Sequence, residues 1–426
     1  MAVHDVISVD AAMASVRPSS TLWIALSGGL DSVCLFHLAL HARARLLKVQ
    51  GQAPGLYAVH VNHQLQPAAA DFEAFSRQLC QQHHIPLRIE PVMVTESGQG
   101  PEAAARAARY AAFERCLAAG DTLWLAQHAD DQAETLLMNS MRGSGVDGLA
   151  AMPAQRELGP GQLQRPLLGV TRARLHEWAV AEGMQWVEDP TNQASAYTRN
   201  RVRHRVMPAL KAEWPDAAER LSRVAEQMGE TRDLLRQYAR DDLRRLESRP
   251  QQLDIEGLKE LGASRFAQLI RCALEHYQLP LPPRARLHTL WQQLEAGHDR
   301  VSQVAWPGVV ARCWRGMLYL TAAYSEPFEM TLHEAQARLE HWAPCPQEGH
   351  PPALECKLRE GGERMLRGGM HKKVKTLLQE HAIPPWQRER VGVVRMQETG
   401  AVVALLGEDW GLAADGWRLG RADGRH

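Results

Sequence analysis

The sequence of 426 residues lacks several features that define large classes of proteins. Its seven cysteines are scattered and form no CxxC pair, which disfavours zinc ribbons and iron–sulfur sites. No apolar run is long enough to span a membrane and no signal peptide is visible, so we expect a reduced, soluble, cytoplasmic protein without a membrane partner. Lysine plus arginine equals aspartate plus glutamate, at 49 each, so overall charge does not indicate a nucleic-acid partner.

The order of apolar and polar segments predicts an α/β protein of three domains. In the first half, four short apolar runs alternate with helical stretches, which is typical of a parallel sheet. The predicted strands are residues 22–26, 56–61, 87–94 and 121–126, and the predicted helices are 31–45, 68–83, 103–117 and 130–141. We expect this parallel-sheet domain over residues 1–212, a mainly helical domain over 213–326, and a small α+β domain over 353–426.

Two details of the later domains complete this prediction. Three short strands are expected at residues 301–306, 309–314 and 317–321, after a string of charged helical segments. Residues 327–352 contain several prolines and are expected to be loop-rich and linker-like.

A glycine-rich loop between the first predicted strand and helix is the most informative feature. It reads Ser27-Gly28-Gly29-Leu30-Asp31-Ser32. Glycines let the backbone approach a ligand and the N–H groups of a helix start bind anions, so the favoured ligand is a phosphate chain. The P-loop ends in Gly-Lys-Ser/Thr, whereas this loop has no lysine and carries Asp31 instead. An acid beside phosphates indicates Mg²⁺; a β-turn without a ligand is the disfavoured alternative.

A second cluster of polar residues follows the fourth predicted strand. It contains His128, Asp130, Asp131 and Glu134. Because ligands collect at the carboxyl ends of parallel strands, we expect this cluster beside the glycine-rich loop. Aspartate is also a favoured N-cap and acids suit a helix start, so simple capping is the alternative. We favour a functional site in which Asp130 or Asp131 shares Mg²⁺ with Asp31.

Three charged residues lie four and then three positions apart along the third predicted helix and its start, namely Glu102, Arg106 and Arg109. This spacing puts them on roughly one face, where a solvated set of ion pairs explains them equally well. Arginine is also suited to bidentate recognition of phosphate near a nucleotide, which favours a role for Arg106.

The glycine-rich loop resembles the SGGxDS loop of the ATP pyrophosphatases, which cut ATP between its α and β phosphates. Further segments narrow the resemblance to the tRNA(Ile)-lysidine synthetases: residues 60–63 (HVNH), 106–110 (RAARY), 142–145 (RGSG), 165–168 (RPLL), 188–192 (EDPTN) and 199–203 (RNRVR). Residues 359–364, 372–375 and 383–388 are similar to the C-terminal domain of the longer members. The resemblance covers nearly the whole chain, although the middle matches only in its helical, charged character.

This resemblance implies a Rossmann-like catalytic domain that uses ATP and Mg²⁺. The enzyme would adenylate the C2 carbonyl of the wobble cytidine in a CAU-anticodon tRNA(Ile), and free lysine would then displace AMP to form lysidine. The pyrophosphate would be bound by Ser27, Gly28, Gly29, Leu30 and Ser32, and the metal by Asp31 with Asp130 or Asp131. Arg106 would stabilise charge on the phosphates, while His128 and Glu134 would bind lysine or accept its proton. A homodimer stays open.

Two basic clusters are candidate tRNA contacts. Arg199, Arg201 and Arg203 alternate with other residues, a pattern that spreads charge around a helix as readily as it forms a patch. Lys372, Lys373 and Lys375 stand close together in a chain where lysine is scarce, and flexible glycines precede them. Concentrated charge beside flexible backbone suits phosphate contacts, so this second cluster is the stronger candidate.

Three other functions remain alternatives. A tRNA-thiolating ATP pyrophosphatase would share the loop but would use a cysteine pair or a cluster, which the scattered cysteines disfavour. A synthetase of the asparagine or GMP kind would need a glutaminase domain, and only about twenty residues precede the loop. A non-catalytic RNA-binding protein with a decayed site would have no reason to keep Ser27, Asp31 and Ser32.

Overall fold

The computed structural model describes residues 3–62, 69–92, 101–188, 198–249, 251–296, 302–323, 331–348, 350, 352–408 and 410–420. It divides into two compact units, Met1–Gln237 and Tyr238–His426. The predicted division into three domains stays a prediction. Within the described ranges, no helix has both the length and the apolar character needed to cross a membrane.

A six-stranded sheet in the order β3-β2-β1-β4-β6-β5 forms the centre of the first unit. Its strands are β1 (Thr21–Ala25), β2 (Gly55–Asn62), β3 (Leu87–Pro91), β4 (Thr122–Trp124), β5 (Gln155–Leu158) and β6 (Gly161–Gln164). Five strands pair in parallel, and β5 pairs antiparallel with β6 at one edge. The predicted parallel sheet is confirmed, but the β5–β6 hairpin was not predicted because each of its strands has only four residues.

Helices cover both faces of this sheet because β1 is buried on both sides. Leu22 and Ile24 pack in one core cluster with Phe36, while Trp23 packs in another with Phe113. The helices of the unit are α1 (Val3–Ser15), α2 (Leu30–Gln50), α3 (Ala69–Gln82), α4 (Pro101–Cys116), α5 (Ala129–Met141), α6 (Val146–Leu149), α7 (Arg172–Ala181), α8 (Thr198–Arg201), a π-helical turn (Val202–Val206), α9 (Met207–Glu213) and α10 (Ala217–Leu246), which continues into the second unit.

The second unit begins with a five-stranded sheet in the order β7-β8-β11-β10-β9. Three helices and this sheet surround one apolar core that includes Phe266, Leu290 and Leu318. The elements are β7 (Glu247–Arg249), β8 (Gln252–Asp254), α11 (Ile255–Glu260), α12 (Gly262–His276), α13 (Arg284–Glu295), β9 (Ser302–Trp306), β10 (Val309–Trp314) and β11 (Met317–Ala322). The three strands predicted after the helical segments are therefore confirmed.

The rest of the second unit contains a mixed sheet, a short two-stranded sheet and three helices. The elements are α14 (Leu332–Trp342), β12 (Pro344–Pro346), β13 (Leu354–Leu358), β14 (Arg364–Arg367), β15 (Met370–Lys373), α15 (Val374–Glu380), α16 (Pro385–Arg388), β16 (Gly392–Met396), β17 (Val402–Leu406), β18 (Gly411–Ala413) and β19 (Trp417–Leu419).

The prediction that residues 327–352 are loop-rich is wrong, because α14 and β12 lie within them. The helix begins at a capping box, in which the Thr331 hydroxyl accepts from the Glu334 N–H at 3.2 Å and the Glu334 carboxylate accepts from the Thr331 N–H at 2.8 Å. The Thr-x-x-Glu pattern was the available signal, and the neighbouring prolines outweighed it. Residues 324–330 lie outside the described part of the chain.

Candidate active site

The glycine-rich loop joins the end of β1 to the start of α2 in a tight, internally bonded turn. The Ser32 hydroxyl accepts hydrogen bonds from the N–H groups of Ser27 and Gly28, both at 3.2 Å, and donates to the Gly29 carbonyl at 2.9 Å. Gly28 has a φ of 88°, and a Cβ atom on it would lie 3.2 Å from a ring carbon of Phe72. The loop therefore needs glycine at this position.

His128 lies at the end of β4's connection to α5 and faces three carboxylates. Its Nε2 lies 3.7 Å from Asp31 Oδ2 and 3.5 Å from Asp131 Oδ2, and its Nδ1 lies 3.6 Å from Asp130 Oδ2. Burial lowers the pKa of His128, but the negative charges of Asp131, Asp130 and Asp31 outweigh burial and raise that pKa to about 10. The imidazole is thus a cation at neutral pH that links the loop to α5.

Two arginines of the segment after α7 also bind the acids of α5. Arg199 donates to Asp131 at 2.9 Å and to Glu134 at 2.8 Å. Arg203 donates to Asp131 at 2.9 Å and to Glu134 at 2.6 Å. The Glu134 side chain is only 2 % exposed, so these ion pairs supply the charges that its burial requires.

Asp130 has a separate set of partners. Lys211 Nζ lies 2.6 Å from its Oδ1, and the Arg172 N–H donates to its Oδ2 at 2.8 Å. Burial raises the pKa of Asp130, but His128, the Arg172 N–H and Lys211 lower it by more. The pKa of Asp130 therefore lies well below its usual range. The Arg172 guanidinium also approaches Asp31, with Nε 3.6 Å from Oδ1. Neither Arg172 nor Lys211 was predicted, since nothing in the local sequence around them indicates these contacts.

Asp31 fits a role in holding a magnesium ion. Its Oδ1 is buried and accepts no hydrogen bond from any residue in the described ranges. The oxygens of Asp130 and Asp131 are instead occupied by basic side chains and N–H groups. No group of three or more His, Cys, Asp or Glu residues among the described ones suits a metal ion. Since Mg²⁺ is commonly bound by one or two carboxylates plus substrate phosphates, Asp31 meets the requirement, and sharing with Asp130 or Asp131 stays a prediction.

Arg106 is held by Tyr110 one turn later on α4. The Arg106 guanidinium lies 5.1 Å from the centre of the Tyr110 ring, and its Nη2 donates to the Tyr110 hydroxyl at 3.3 Å. The buried Arg165 donates to the same hydroxyl at 3.4 Å and to the side chain of Gln127, which directly precedes His128. Arg106 is therefore attached to the same edge of the sheet as the acids. The side chain of Glu102 lies outside the described part of the structure.

The residues predicted to contact tRNA fall into different environments. Arg199 and Arg203 pair with acids as above, whereas Arg201 is exposed and donates to Thr198 at 3.1 Å. Lys372 forms an ion pair with Glu380 at 3.0 Å. Lys373 and Lys375 are exposed at the junction of β15 and α15. Their binding role stays a prediction.

Comparisons with known proteins identify families and relatives that this chain resembles. A family model described as a PP-loop domain matches residues 1–210, one described as the TilS substrate binding domain matches residues 253–319, and one described as the TilS substrate C-terminal domain matches residues 354–420. Among solved structures, the chain resembles the U34-tRNA thiolase NcsA from Methanococcus maripaludis with a TM-score of 0.42 and 18% identity, over 53% of this chain and 79% of that one.

Two relatives extend over almost the whole sequence. The tRNA(Ile)-lysidine synthase of Pseudomonas fluorescens is 39% identical over 416 residues, which cover 93% of this chain and 91% of the relative. The tRNA(Ile)-lysidine synthase of Alkalilimnicola ehrlichii is 38% identical over 415 residues, which cover 93% of this chain and 92% of that protein. The resemblance inferred from the sequence is thereby confirmed, and the chain belongs to the tRNA(Ile)-lysidine synthase family.

Proposed function

We propose that this protein ligates lysine to C2 of the wobble cytidine in the CAU anticodon of tRNA(Ile), with conversion of ATP to AMP and pyrophosphate. The product, lysidine, changes codon reading from AUG to AUA. The observation that carries this proposal is the 39% identity to a tRNA(Ile)-lysidine synthase over 93% of the chain. The internally hydrogen-bonded loop, which includes Asp31, supports the ATP-dependent half of the reaction.

The chemistry explains why ATP is needed. The C2 carbonyl of cytidine is amide-like and therefore a poor electrophile. In the first step its oxygen attacks the α phosphorus and pyrophosphate leaves; in the second, the ε-amino group of lysine attacks C2 and the C2–O bond breaks as AMP departs. An ammonium group has no lone pair, so the ε-amino group must be neutral when it attacks C2, and the proton that its nitrogen releases as the C–N bond forms passes to solvent.

The residues of the first unit provide binding and charge for these steps. The backbone of the glycine-rich loop would bind the pyrophosphate, and Arg106, oriented by Tyr110, would stabilise charge on the phosphates. Asp31 would hold Mg²⁺, which supplies positive charge to the phosphates when it is bound. Protonated His128 would keep the Asp31 carboxylate in place through their 3.7 Å contact.

His128 and Glu134 each have two candidate roles, which are to bind lysine or to accept its proton. Their surroundings bear on the second role. The three carboxylates around His128 raise its pKa, which favours the protonated ring over a proton acceptor. Both carboxylate oxygens of Glu134 accept hydrogen bonds from Arg199 or Arg203. We therefore assign His128 to positioning Asp31, and Glu134 to positioning the two arginines, rather than to proton transfer.

The test is transfer of radiolabelled lysine to an unmodified isoleucine tRNA with a CAU anticodon, with and without ATP. A methionine tRNA with the same anticodon is the matched control. We expect label on the isoleucine tRNA alone, dependent on ATP and Mg²⁺ and accompanied by AMP. A homodimer and a cytoplasmic location stay predictions, the first to be tested by light scattering and the second by cell fractionation.

Other outcomes would point elsewhere. ATP turnover with tRNA but without lysine transfer would favour a tRNA-thiolating pyrophosphatase, and absence of turnover would favour a binding protein. The cysteines count against the thiolase, because five of the seven are buried: Cys34, Cys80, Cys116, Cys313 and Cys356.

A further inference from the structure

Three arginines of the first unit converge on one tyrosine, and one of them, Arg156, has no part in the function proposed above. The Arg106 guanidinium lies 5.1 Å from the centre of the Tyr110 ring, and that of Arg156 lies 4.9 Å from it. The third, Arg165, donates from Nη2 to the Tyr110 hydroxyl at 3.4 Å. Arg106 and Arg156 are exposed, whereas Arg165 is buried. This arginine cluster therefore presents two guanidinium groups to solvent and holds a third in the interior.

The arginine cluster is connected to the glycine-rich loop. Arg156 lies on β5, which pairs with β6, and Arg165 directly follows the end of β6. Arg165 donates to the side chain of Gln127, the residue before His128, and His128 in turn faces Asp31 at 3.7 Å. The β5–β6 hairpin thus adds positive charge to the edge of the sheet at which the phosphates of ATP are expected.

Carboxylates do not neutralise the arginine cluster within the described part of the chain. The acceptors of its N–H groups are uncharged there: Arg165 donates to the Pro153 carbonyl at 2.8 Å, and Arg156 donates to the Glu157 carbonyl at 3.1 Å. Burial of a guanidinium group is costly unless an anion is close to it. The arginine cluster therefore has the charge of an anion site.

The electrostatics of the arginine cluster agree with this reading. Burial lowers the pKa of Arg165, and the positive charges of Arg156 and Arg106 lower it as well, while Tyr110 raises it. Arginine keeps its charge despite such shifts, so the guanidinium groups repel one another. Burial raises the pKa of Tyr110, but Arg106 and Arg165 lower it by more. Even when ionised, this phenol supplies one negative charge against three positive ones, and a bound anion would remove the imbalance.

We propose that Arg156 acts with Arg106 to bind the β and γ phosphates of ATP and the pyrophosphate formed from them, an inference that rests on the proposed function for the identity of the anion. A guanidinium group suits paired hydrogen bonds to phosphate oxygens, and the Tyr110 ring holds two such groups close together. In the adenylation step the cytidine oxygen bonds to the α phosphorus, the bond from that phosphorus to the bridging oxygen breaks, and negative charge moves onto pyrophosphate. Arg156 stabilises this charge, and Arg165 adds to the positive field without touching the ligand.

Calorimetric titration of inorganic pyrophosphate into the full chain tests the proposal without tRNA or lysine. Arg156→Gln removes one charge, and Arg156→Glu adds a carboxylate that competes with the anion for Arg106. We expect the dissociation constant of pyrophosphate to rise about tenfold in Arg156→Gln and further in Arg156→Glu. Arg220→Gln is the matched control, because Arg220 is an exposed arginine of the same unit that pairs with Asp216, and it should bind pyrophosphate like the wild type.

Steady-state kinetics and folding complete the test. Arg156→Gln should raise the KM for ATP several-fold and leave the KM for tRNA unchanged, and urea denaturation checks that each variant is folded. Equal dissociation constants for wild type and Arg156→Gln, or no binding of pyrophosphate by the wild type, would overturn the proposal. So would a change confined to the KM for tRNA, which would assign the arginines to the RNA backbone. A wild type that binds pyrophosphate through Arg156 but transfers no lysine would contradict the proposed function alone.

Discussion

At the scale of single residues, the electrostatics of the site centre on His128, whose ring faces three carboxylates within 3.7 Å. We expect its imidazole to stay protonated from pH 6 to pH 8.5. Nitrogen-15 NMR of histidine-labelled protein, with the signal assigned by its absence in His128→Gln, measures this state. A His128 signal that titrates near the ordinary value of 6.5 would contradict the geometry.

The same pKa shift has a consequence for stability. The folded-state pKa is raised from 6.5 to about 10, so the stabilisation is complete below about pH 6.5 and is lost progressively as pH rises towards 10. We expect the free energy of unfolding of the wild-type protein to fall more steeply over this range than that of His128→Gln. Urea denaturation at several pH values measures the difference between the two slopes.

Asp31 gives the second prediction at this scale. Asp31→Asn removes the charge that would hold Mg²⁺ and that pairs with His128, so we expect AMP formation to fall by about 10²–10³-fold. tRNA binding should stay nearly unchanged, since the proposed role of Asp31 is toward the ATP phosphates and not toward the tRNA. Filter binding and AMP release measure the two effects. The exposed Asp233 provides the control variant Asp233→Asn, and normal turnover of Asp31→Asn would refute the assignment.

Much of the cluster around His128 was predictable, but its partners were not. Asp31, His128 and the acids of α5 follow the ends of adjacent parallel strands, so the topology alone brings them together. Arg199 and Lys211 come after further helices in the sequence and pair with the acids only through the tertiary fold. No local sequence pattern predicts such long-range contacts. The charge of His128 depends on those distances and likewise could not be read from spacing.

At the scale of elements, the glycine-rich loop gives a matched pair of substitutions. Gly28→Ala places a side chain at a φ of 88° and 3.2 Å from Phe72, and we expect it to cost about 1–2 kcal/mol of stability. Gly29 lacks a positive φ, and a Cβ atom on it would lie 3.7 Å from its nearest neighbour, Ser27 Oγ. Gly29→Ala should therefore be almost neutral for folding. Urea denaturation compares them, and equal stabilities would show that the loop relaxes.

Element prediction succeeded where apolar periodicity was long and failed where elements are short or flanked by proline. The strands β1, β2 and β3 and the helices between them lie within a few residues of the expected bounds. The four-residue strands β5 and β6 are too short for a pattern, and α14 was missed because Pro327, Pro344 and Pro346 surround a helix whose capping box was the opposing signal. At such places the intrinsic propensity of the residues and the local sequence pattern favour different structures. Tertiary packing then determines which structure forms.

At the scale of the whole molecule, positive and negative charges balance, so electrostatic binding of tRNA must come from local clusters of basic residues. Lys372, Lys373 and Lys375 form such a cluster around the start of α15. Each phosphate contact releases condensed cations, so the logarithm of the binding constant falls with the logarithm of the salt concentration. Loss of three contacts should make this slope shallower by about two to three units. We expect Lys372→Gln, Lys373→Gln and Lys375→Gln combined to weaken tRNA binding and to flatten its salt dependence by roughly this amount.

The contacts within the cluster divide this effect unequally. Lys372 already forms an ion pair with Glu380 at 3.0 Å, so the free energy gained from a phosphate contact is partly offset by the loss of that pair. Lys373 and Lys375 are exposed. The variant with only Lys373 and Lys375 replaced should therefore show most of the change in slope. Lys357→Gln is the control, because Lys357 is an exposed lysine of β13 that pairs with Glu355. Binding measured from 50 to 200 mM salt decides the matter: an unchanged slope would mean that these lysines are an ordinary solvated surface.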